Sequence, residues 1–211
     1  MSRRSSSADE YGRLSVSTAS TSGEFANNGA VAGRSCVSCA LCCKLLPIRE
    51  LEKGENQWCV HCRPGRDGAC SIYTKRPPTC RDFVCQWLVN GELGDEWQPT
   101  RAKMFVHYNA DPLGKLGLYV IVDPSRPDAW RREPYHSQLK GWALANLRAR
   151  KMRVYVNVGR HTFLVLPNAA VEVTDKFHIV VPVGEDRWEA RCYDTREEAM
   201  RANPQLGTGR G

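Results

Sequence analysis

The sequence predicts an α+β fold, in which an irregular cysteine-rich module docks on a mainly antiparallel sheet with one longer helix. Nine of the ten cysteines in the 211 residues fall between Cys36 and Cys85, where prolines and glycines interrupt every regular pattern. From about Thr100 the sequence changes to short stretches of alternating apolar residues, which are typical of half-buried strands. Between these stretches, Tyr135–Arg150 has apolar residues at helical spacing.

The chain divides into four segments. Residues 1–34 hold few large apolar side chains, so burial cannot offset the entropy cost of ordering them, and we expect a disordered tail. We expect residues 35–99 to form a cysteine-cluster metal-binding module, residues 100–205 an α+β strand-rich region, and residues 206–211 a flexible tail.

Targeting and membrane signals are weak in this sequence. No stretch approaches the roughly 18 consecutive apolar residues that a spanning helix needs, and residues 1–34 lack the apolar core of a signal peptide. We therefore expect a soluble, cytoplasmic protein with no membrane partner.

The formal net charge of +7 and the isoelectric point near 9.0 overstate the basicity of the protein. Cysteines that bind metal do so as thiolates, and each thiolate adds a negative charge before the metal ions are counted. A basic composition is therefore weak support for a nucleic-acid partner.

Seven strands are predicted after Thr100. A turn at 109–114 separates the first two, and Gly159 with Arg160 suits a tight hairpin between the third and the fourth. The predicted strands are Ala102–Tyr108, Leu116–Asp123, Met152–Val158, His161–Leu166, Val171–Val173, Phe177–Val183 and Trp188–Tyr193.

One long helix and three short helices are predicted. The long one, Tyr135–Arg150, places Leu139, Trp142, Ala143 and Leu147 on one face. Thr195 and Glu198 form a capping-box pattern for a short last helix that ends at Asn203. Within the cysteine module, short helices are predicted at Leu45–Lys53 and Arg81–Val89, neither of which is long enough to be stable alone in water.

The cysteines have the spacing of metal ligands. They occur as CVSCALCC, WCVHC and CSIYTKRPPTCRDFVC, and a CxxC pair lets two sulfur atoms of one turn reach the same ion. A disulfide framework is disfavoured because the cytosol keeps thiols reduced. The candidate metal ligands are Cys36, Cys39, Cys42, Cys43, Cys59, Cys62, Cys70, Cys80 and Cys85.

The spacing leaves the metal open between zinc and iron, including an iron-sulfur cluster, since both use thiolate ligands. Nine thiols exceed one tetrahedral site, so more than one centre or a cluster is expected. Cys42 and Cys43 would point in opposite directions in an extended chain, which suggests that they serve different centres. His61 is a further nitrogen ligand to consider, although it lies between two cysteines that already form a CxxC pair.

Other residues of the module are assigned supporting roles. Arg76 and Arg81 flank Cys80 and are candidates for hydrogen bonds to thiolates or carboxylates. The pairs Ile72 with Tyr73 and Phe83 with Trp87 are interpreted as a small apolar core beneath the metal site.

The order CxxCxxCC, WCVHC and GACSIYTKRPPTCRDFVCQW, over roughly residues 35–101, resembles the YkgJ-type cysteine-cluster family of zinc- or iron-chelating domains. Its most distinctive element is RPxxCRxF, which begins at Arg76 and ends at Phe83. The resemblance implies metal chelation by the nine candidate cysteines and no settled reaction. It extends more distantly to flagellin lysine methylases, but the sequence holds no methyl-donor or nucleotide fingerprint, so that activity is not implied.

Three functions remain open from the sequence. The first is a metal-binding protein whose partners are the metal ions, and the second is an iron-dependent redox or group-transfer enzyme that uses the same cluster. The third is a zinc-stapled nucleic-acid binder, because the stretch from Arg126 to Arg153 combines eight basic and two acidic residues with Trp130, Tyr135 and Trp142. We favour inward packing of these aromatic residues over nucleic-acid contacts.

Two further groups of residues are expected to be structural. Cys192 shares a strand face with apolar residues and is predicted to be a buried core thiol. His107, His136, His161 and His178 show no ligand spacing and are interpreted as structural or exposed.

Overall fold

The structure is a computed structural model that describes residues 29–36, 39–65 and 69–203. The α-helices of these residues are α1 (Leu41–Leu45), α2 (Pro78–Asp82), α3 (Gln86–Val89), α4 (Pro99–Ala102), α5 (Tyr135–Arg148) and α6 (Arg196–Ala202). The strands are β1 (Met104–Ala110), β2 (Leu116–Val122), β3 (Arg153–Val158), β4 (His161–Val165), β5 (Ala170–Glu172), β6 (Phe177–Gly184) and β7 (Arg187–Tyr193). None of the helices in this part of the chain is long and apolar enough to cross a membrane.

Strands β1 to β5 form one sheet in chain order, and β6 with β7 form a separate antiparallel hairpin. Within the five-stranded sheet only β2 and β3 are parallel, and α5 lies on the crossover that joins them. Parallel neighbours need a long crossover, which a helix commonly supplies. The fold is therefore α+β, with a mainly antiparallel sheet and one longer helix, as the sequence predicts.

The main core lies between one face of this sheet and α5. Val106, Val120 and Val156 come from three neighbouring strands and pack together with Leu139 and Ala143 of α5. We call this the helix face of the sheet. Packing against this face buries the regularly spaced apolar residues of α5, and a helix needs such burial of its apolar side to be stable.

The opposite face of the sheet, which we call the cysteine face, contacts two different parts of the chain. Phe105 of β1 packs against Leu41 and Leu45 of α1, so the cysteine module covers this end of the face. Farther along, Tyr155 and Leu164 pack against residues of the β6–β7 hairpin. The cysteine module and the hairpin therefore pack on different parts of the same face of the sheet.

A partly buried ion pair also joins the module to the sheet. The ammonium of Lys44, in α1, lies 2.7 Å and 2.8 Å from the two carboxylate oxygens of Asp123, directly after β2. Near the start of the described chain, the Arg34 guanidinium donates to the carbonyls of Trp87, Asn90 and Leu93. Residues 29–34 of the predicted tail thus include an anchored arginine, whereas residues 1–28 and 206–211 lie outside the described residues.

Most predicted elements of the strand-rich region are confirmed. All seven strands occur within two residues of their predicted ends, a difference that frayed ends alone produce. The long helix begins at Tyr135 as predicted, and the capping box of Thr195 and Glu198 is present at α6, which ends before Asn203.

The two helix predictions in the cysteine module are wrong in position. The helix predicted at Leu45–Lys53 is replaced by α1, which ends at Leu45, and by a 3₁₀ turn at Arg49–Leu51. Pro47 lies between them, and a proline restricts the residue before it to extended conformations. The helix predicted at Arg81–Val89 is split into α2 and α3, because Phe83 and Cys85 adopt extended conformations.

The prediction for Cys192 is also wrong, since this residue is exposed. Trp188 and Ala190 of β7 pack against the sheet, as alternation predicts. Cys192 lies farther along β7, opposite the buried His178, but its own side chain is not covered. Alternation in a two-stranded hairpin identifies which residues share a face but not how much of that face is covered.

Candidate metal centre

Eight of the nine clustered cysteines line a single cavity of about 340 Å³. Since these residues come from separate parts of the chain, their convergence is a result of the tertiary fold. The lining cysteines are Cys36, Cys39, Cys42, Cys43, Cys59, Cys70, Cys80 and Cys85. The ninth, Cys62, does not line the cavity but its thiol is within hydrogen-bonding reach of Cys43.

Backbone hydrogen bonds hold the first three groups of cysteines together. The amide of Cys59 donates to the carbonyl of Cys43 at 3.1 Å, and the amide of Cys62 donates to the carbonyl of Cys59 at 2.9 Å. Cys62 in turn forms an isolated antiparallel bridge with Cys70. The WCVHC segment therefore lies between α1 and the loop that carries Cys70.

The last two cysteines of the cluster are placed by α2 and α3. Pro78 opens α2, where its missing N–H costs nothing, and Cys80 follows within the same turn. Thr79 donates from its amide and its hydroxyl to the Glu50 carboxylate, at 3.0 Å and 2.8 Å, which ties α2 to the loop after α1. Cys85 is the residue directly before α3. The RPxxCRxF element therefore positions Cys80 in the wall of the cavity.

Apolar side chains form most of the remaining wall of this cavity. They include Leu46, Ile48, Ile72, Phe83 and Phe105. The predicted apolar core beneath the cysteines is present in Phe83 and in the buried Trp87. Tyr73 also lines the cavity, but its side chain is partly exposed and stacks against the Arg76 guanidinium at 3.7 Å. Thiolates in such a wall are poorly solvated, so they need a cation to compensate their charge.

Burial and crowding keep most of these thiols protonated in the absence of metal. Burial raises the pKa of Cys62 and of Cys85 to about 12 and the pKa of Cys80 to about 11. The pKa values of Cys36, Cys39 and Cys70 are also raised, mainly by burial. A bound cation would reverse this preference, and metal binding would release protons.

Cys43 is the exception among the clustered thiols. A hydrogen bond from the Cys42 thiol lowers the pKa of Cys43 to about 6, with further contributions from Cys62, Lys53 and Arg76. The same hydrogen bond raises the pKa of Cys42 well above its usual value. The doublet therefore supplies one thiolate and one thiol that donates to it.

The lowered pKa of Cys43 predicts its reactivity. In metal-free protein we expect iodoacetamide to modify Cys43 first at pH 7, because the thiolate forms above a pH of about 6 and is lost below it. Peptide mass spectrometry after brief labelling over a pH series measures this directly. Cys80 is the internal control, since its pKa of about 11 leaves little thiolate at neutral pH. A labelling midpoint near pH 9 for Cys43 would contradict the assignment.

Lys53 is a buried cation beside the thiols that sequence reasoning missed. Its side chain belongs to a residue only 8% exposed, and its ammonium donates to the carbonyls of Lys44, Leu46 and Gly54. It also lowers the pKa of Cys43 by its charge. No motif in the sequence marks this lysine, because its burial depends on how the loop after α1 folds back.

Replacing Lys53 by methionine tests this role. We expect the Cys43 labelling midpoint to move to higher pH, and stability to fall by about 1.5–3 kcal/mol as three carbonyls lose a charged donor. Urea unfolding and the pH series measure the two effects. Lys75→Met is the matched control, because Lys75 is exposed in the same module. Equal midpoints in Lys53→Met and the wild type would argue against the electrostatic role.

The cavity offers sulfur atoms that suit a metal ion, but these atoms are not arranged in a complete coordination geometry. Among the described residues, no group of three or more cysteine, histidine, aspartate or glutamate side chains is arranged to hold a metal ion. The donor set nevertheless fits zinc or iron, because soft thiolates from several turns face one apolar cavity. Small side-chain rotations would have to bring sulfur atoms to the roughly 2.3 Å of a zinc–sulfur bond.

The positions of the other predicted residues differ from expectation. Cys42 and Cys43 lie in α1, and both line the cavity. The extended chain that we assumed when assigning them to different metal centres is therefore wrong. The number of metal centres stays a prediction. His61 does not line the cavity. Arg76 lies near the thiols and lowers the pKa of Cys43, whereas Arg81 makes no cavity contact.

The basic stretch between Arg126 and Arg153 has little free aromatic surface. Trp130 is buried in the main core, and Tyr135 and Trp142 pack against it. Arg148 pairs with Asp186, and Arg153 pairs with Asp111 at 3.2 Å. The aromatic rings of this stretch are therefore packing residues, as favoured from the sequence.

Comparisons with known proteins add no assignment to this geometry. No family model matches the chain, and neither a curated protein nor a solved structure matches it.

Proposed function

We propose that the protein binds zinc or iron through thiolates of the cysteine cavity. The observation that carries this proposal is the convergence of eight clustered cysteines on one cavity. A structural core does not need so many thiols around one cavity, and burial together with neighbouring thiols raises the pKa values of Cys62 and Cys85, so their thiolates would be stabilised by a bound cation.

The number of thiols favours more than one metal ion or a cluster. A tetrahedral site uses four ligands, and eight cysteines line the cavity with Cys62 beside them. The Cys43 thiolate would bind first, because it is already deprotonated near neutral pH, and Lys53 and Arg76 would partly offset the charge of the later thiolates. The resemblance to YkgJ-type chelating domains supports the same ligand set.

Metal content of freshly prepared protein tests the proposal. After anaerobic expression and purification, we expect zinc or iron at one or more equivalents, with visible absorption if the metal is an iron-sulfur cluster. Cys192→Ser is the matched control, since this cysteine is exposed and far along the hairpin, and it should retain the full metal content. Metal-free protein from both anaerobic and zinc-supplemented preparations would refute the proposal.

Metal binding by thiolates favours a reducing compartment. All ten cysteines are free thiols in the structure, and thiolate ligands are lost when they oxidise to disulfides or sulfenic acids. We therefore propose a cytoplasmic location, where glutathione and thioredoxin keep thiols reduced.

An iron-dependent redox or group-transfer enzyme is the second candidate. The observation that favours it is the extent of apolar wall beyond the sulfur atoms, contributed by residues such as Leu46, Ile72 and Phe83. A closed four-sulfur zinc site needs no such wall, whereas a catalytic centre keeps an open position next to a substrate surface. Retention of an open position is testable by the binding of a small exogenous ligand, such as cyanide or nitric oxide, to the iron form.

A further inference from the structure

The nine clustered cysteines fall into two groups that meet at the doublet of Cys42 and Cys43. One group lies against the sheet, and we call it the sheet-side group: Cys36, Cys39, Cys42 and Cys85. The other is joined by the loops that follow α1, and we call it the loop-side group: Cys43, Cys59, Cys62, Cys70 and Cys80. Different kinds of contact define the two groups.

Packing on the sheet defines the sheet-side group. Cys39, Cys42 and Cys85 all pack against the buried cluster that Phe105 of β1 forms with α1. Within the described part of the chain, no loop-side cysteine belongs to this cluster. The cover provided by the sheet is therefore specific to one group of thiols.

Cys36 is brought to the same side by the arginine that precedes it. The Arg34 guanidinium donates to the Trp87 carbonyl at 2.6 Å and lies 5.0 Å from the centre of the Trp87 ring. Trp87 is in α3, two residues after Cys85. This anchor therefore places the chain at Cys36 beside the turn that carries Cys85.

Backbone amides already point at two sulfur atoms of the sheet-side group. The Cys39 sulfur accepts hydrogen bonds from amides in α1 and α4, and the Cys85 sulfur accepts from two amides in α3. All three of these helices contact β1. Hydrogen bonds to a ligand atom orient it and stabilise its charged form, so these two sulfur atoms are prepared to act as thiolate ligands.

Backbone contacts between loops define the other group. Hydrogen bonds and a bridge link Cys43, Cys59, Cys62 and Cys70 in that order, and the thiols of Cys43 and Cys62 are within hydrogen-bonding reach. The residues on either side of Cys59 are exposed, Trp58 by 47% and Val60 by 87%. The loops of this group therefore lack the cover that the sheet gives to the first group.

The charges that act on individual thiols show the same division. Burial, and after it Cys39 and Cys36, raises the pKa of Cys85. The pKa of Cys80 is raised by burial and then by three thiols of the loop-side group. Since charge interactions weaken with distance, these partners are near neighbours, and they assign Cys36 and Cys80 to the groups given above.

The doublet separates the groups because it lies in a helix. Side chains of successive residues in an α-helix diverge by about 100°. Cys42 accordingly packs toward Phe105 with the sheet-side group, whereas Cys43 meets Cys62 in the loop-side group. A helix thus directs the two thiols to different partners, as an extended chain would.

We propose that the cluster holds two separate metal centres, a closed sheet-side centre ligated by Cys36, Cys39, Cys42 and Cys85, and an exchangeable loop-side centre ligated by thiolates of the other five cysteines. This inference rests on the proposed function, that these thiols bind metal. Four thiolates complete a tetrahedral zinc site, so the sheet-side centre keeps no free position. The loop-side group has one thiol more than such a site needs, and that thiol can replace a ligand during exchange. Neither group forms a complete coordination sphere among the described residues, so the bound ion would draw its sulfur atoms together.

Zinc stoichiometry tests the division into two centres. Full-length protein is reduced, stripped of metal and reloaded anaerobically with zinc, and we expect two equivalents in the wild type by elemental analysis. Cys39→Ser/Cys85→Ser removes two ligands of the sheet-side centre, and Cys62→Ser/Cys80→Ser removes two of the loop-side centre, so each double variant should hold one equivalent. Cys192→Ser is the matched control and should hold two, because this cysteine is exposed and outside both groups.

A chelator titration of the zinc-loaded wild type tests which centre exchanges. We expect the loop-side zinc to leave at the lower chelator concentration, because the sheet does not cover these loops. Brief iodoacetamide labelling at that point should modify the loop-side cysteines, while the sheet-side cysteines stay several-fold less modified until the second equivalent leaves. Tandem mass spectrometry of the peptides identifies each labelled residue. This measurement needs no variant, so it decides the question even if a double variant fails to fold.

The outcomes separate this inference from the proposed function. A single equivalent in the wild type, release of both equivalents together, or earlier labelling of the sheet-side cysteines overturns the inference and leaves metal binding intact. Loss of all zinc from either double variant that is folded by circular dichroism does the same, since it indicates one shared cluster. A wild type that takes up no zinc also overturns the inference, and protein that contains neither zinc nor iron overturns the proposed function as well.

Discussion

Replacing Cys42 and Cys43 together by serine should abolish metal binding and destabilise the cysteine module. Both side chains line the cavity from α1, and Cys43 supplies the thiolate that is available near neutral pH. Serine keeps the size of the side chain but is not a thiolate ligand. Structural zinc contributes about 10–16 kcal/mol of apparent binding free energy in zinc-finger peptides, so loss of the metal should remove a large share of the module's stability.

Thermal unfolding with and without a chelator measures this effect. We expect the chelator to lower the melting temperature of the wild type and to have little effect on the double variant, which should already resemble the chelated protein. The Cys192→Ser variant should respond to the chelator as the wild type does, because Cys192 is exposed on β7. Full metal content in the double variant would show that the doublet is dispensable and that the centre uses the other cysteines.

Replacing Phe105 by alanine should lower the free energy of unfolding by about 3–5 kcal/mol, the range for a large aromatic residue in a core. Phe105 is 1% exposed and has two functions at once. It packs against Leu41 and Leu45 of α1, and it forms part of the cavity wall. Its truncation removes one of the contacts that join the cysteine module to the sheet, and it enlarges the cavity.

Urea unfolding of the metal-free protein isolates this contribution, since bound metal would stabilise the folded state by mass action. Leu116→Ala is the control, because Leu116 is 43% exposed at the start of β2 and should change stability by less than about 0.5 kcal/mol. A loss below about 1 kcal/mol in Phe105→Ala would mean that the module is held to the sheet mainly by other contacts, such as the ion pair of Lys44 with Asp123.

The strand-rich region could be predicted from the sequence because its periodicity is local. Alternation in Arg153–Val158 reflects the two faces of one strand, and the spacing of Leu139 and Ala143 reflects one face of one helix. The capping box of Thr195 and Glu198 is local in the same sense, as it joins residues three positions apart. Such patterns need no knowledge of which other element covers the face.

The cysteine module could not be predicted in the same detail. Its helices are at most five residues long, and their ends depend on prolines and on contacts made by residues distant in sequence, such as Thr79 with Glu50. The exposure of Cys192 was missed for a related reason, since coverage of a hairpin is decided by the sheet that packs on it. Likewise, nothing in the sequence marks Lys53 or His178 as buried.

The sequence by itself determined the order and type of the elements after Thr100 and the identity of the thiols that could bind metal, because both are properties of residue type and short-range spacing. Only the tertiary structure decided that eight of these thiols line one cavity, that Lys53 lies beside them, and that one group of thiols packs against the sheet while the other is joined by loops. The physical reason is that these relations depend on packing between elements far apart in the chain, where burial fixes both the distances and the charge states.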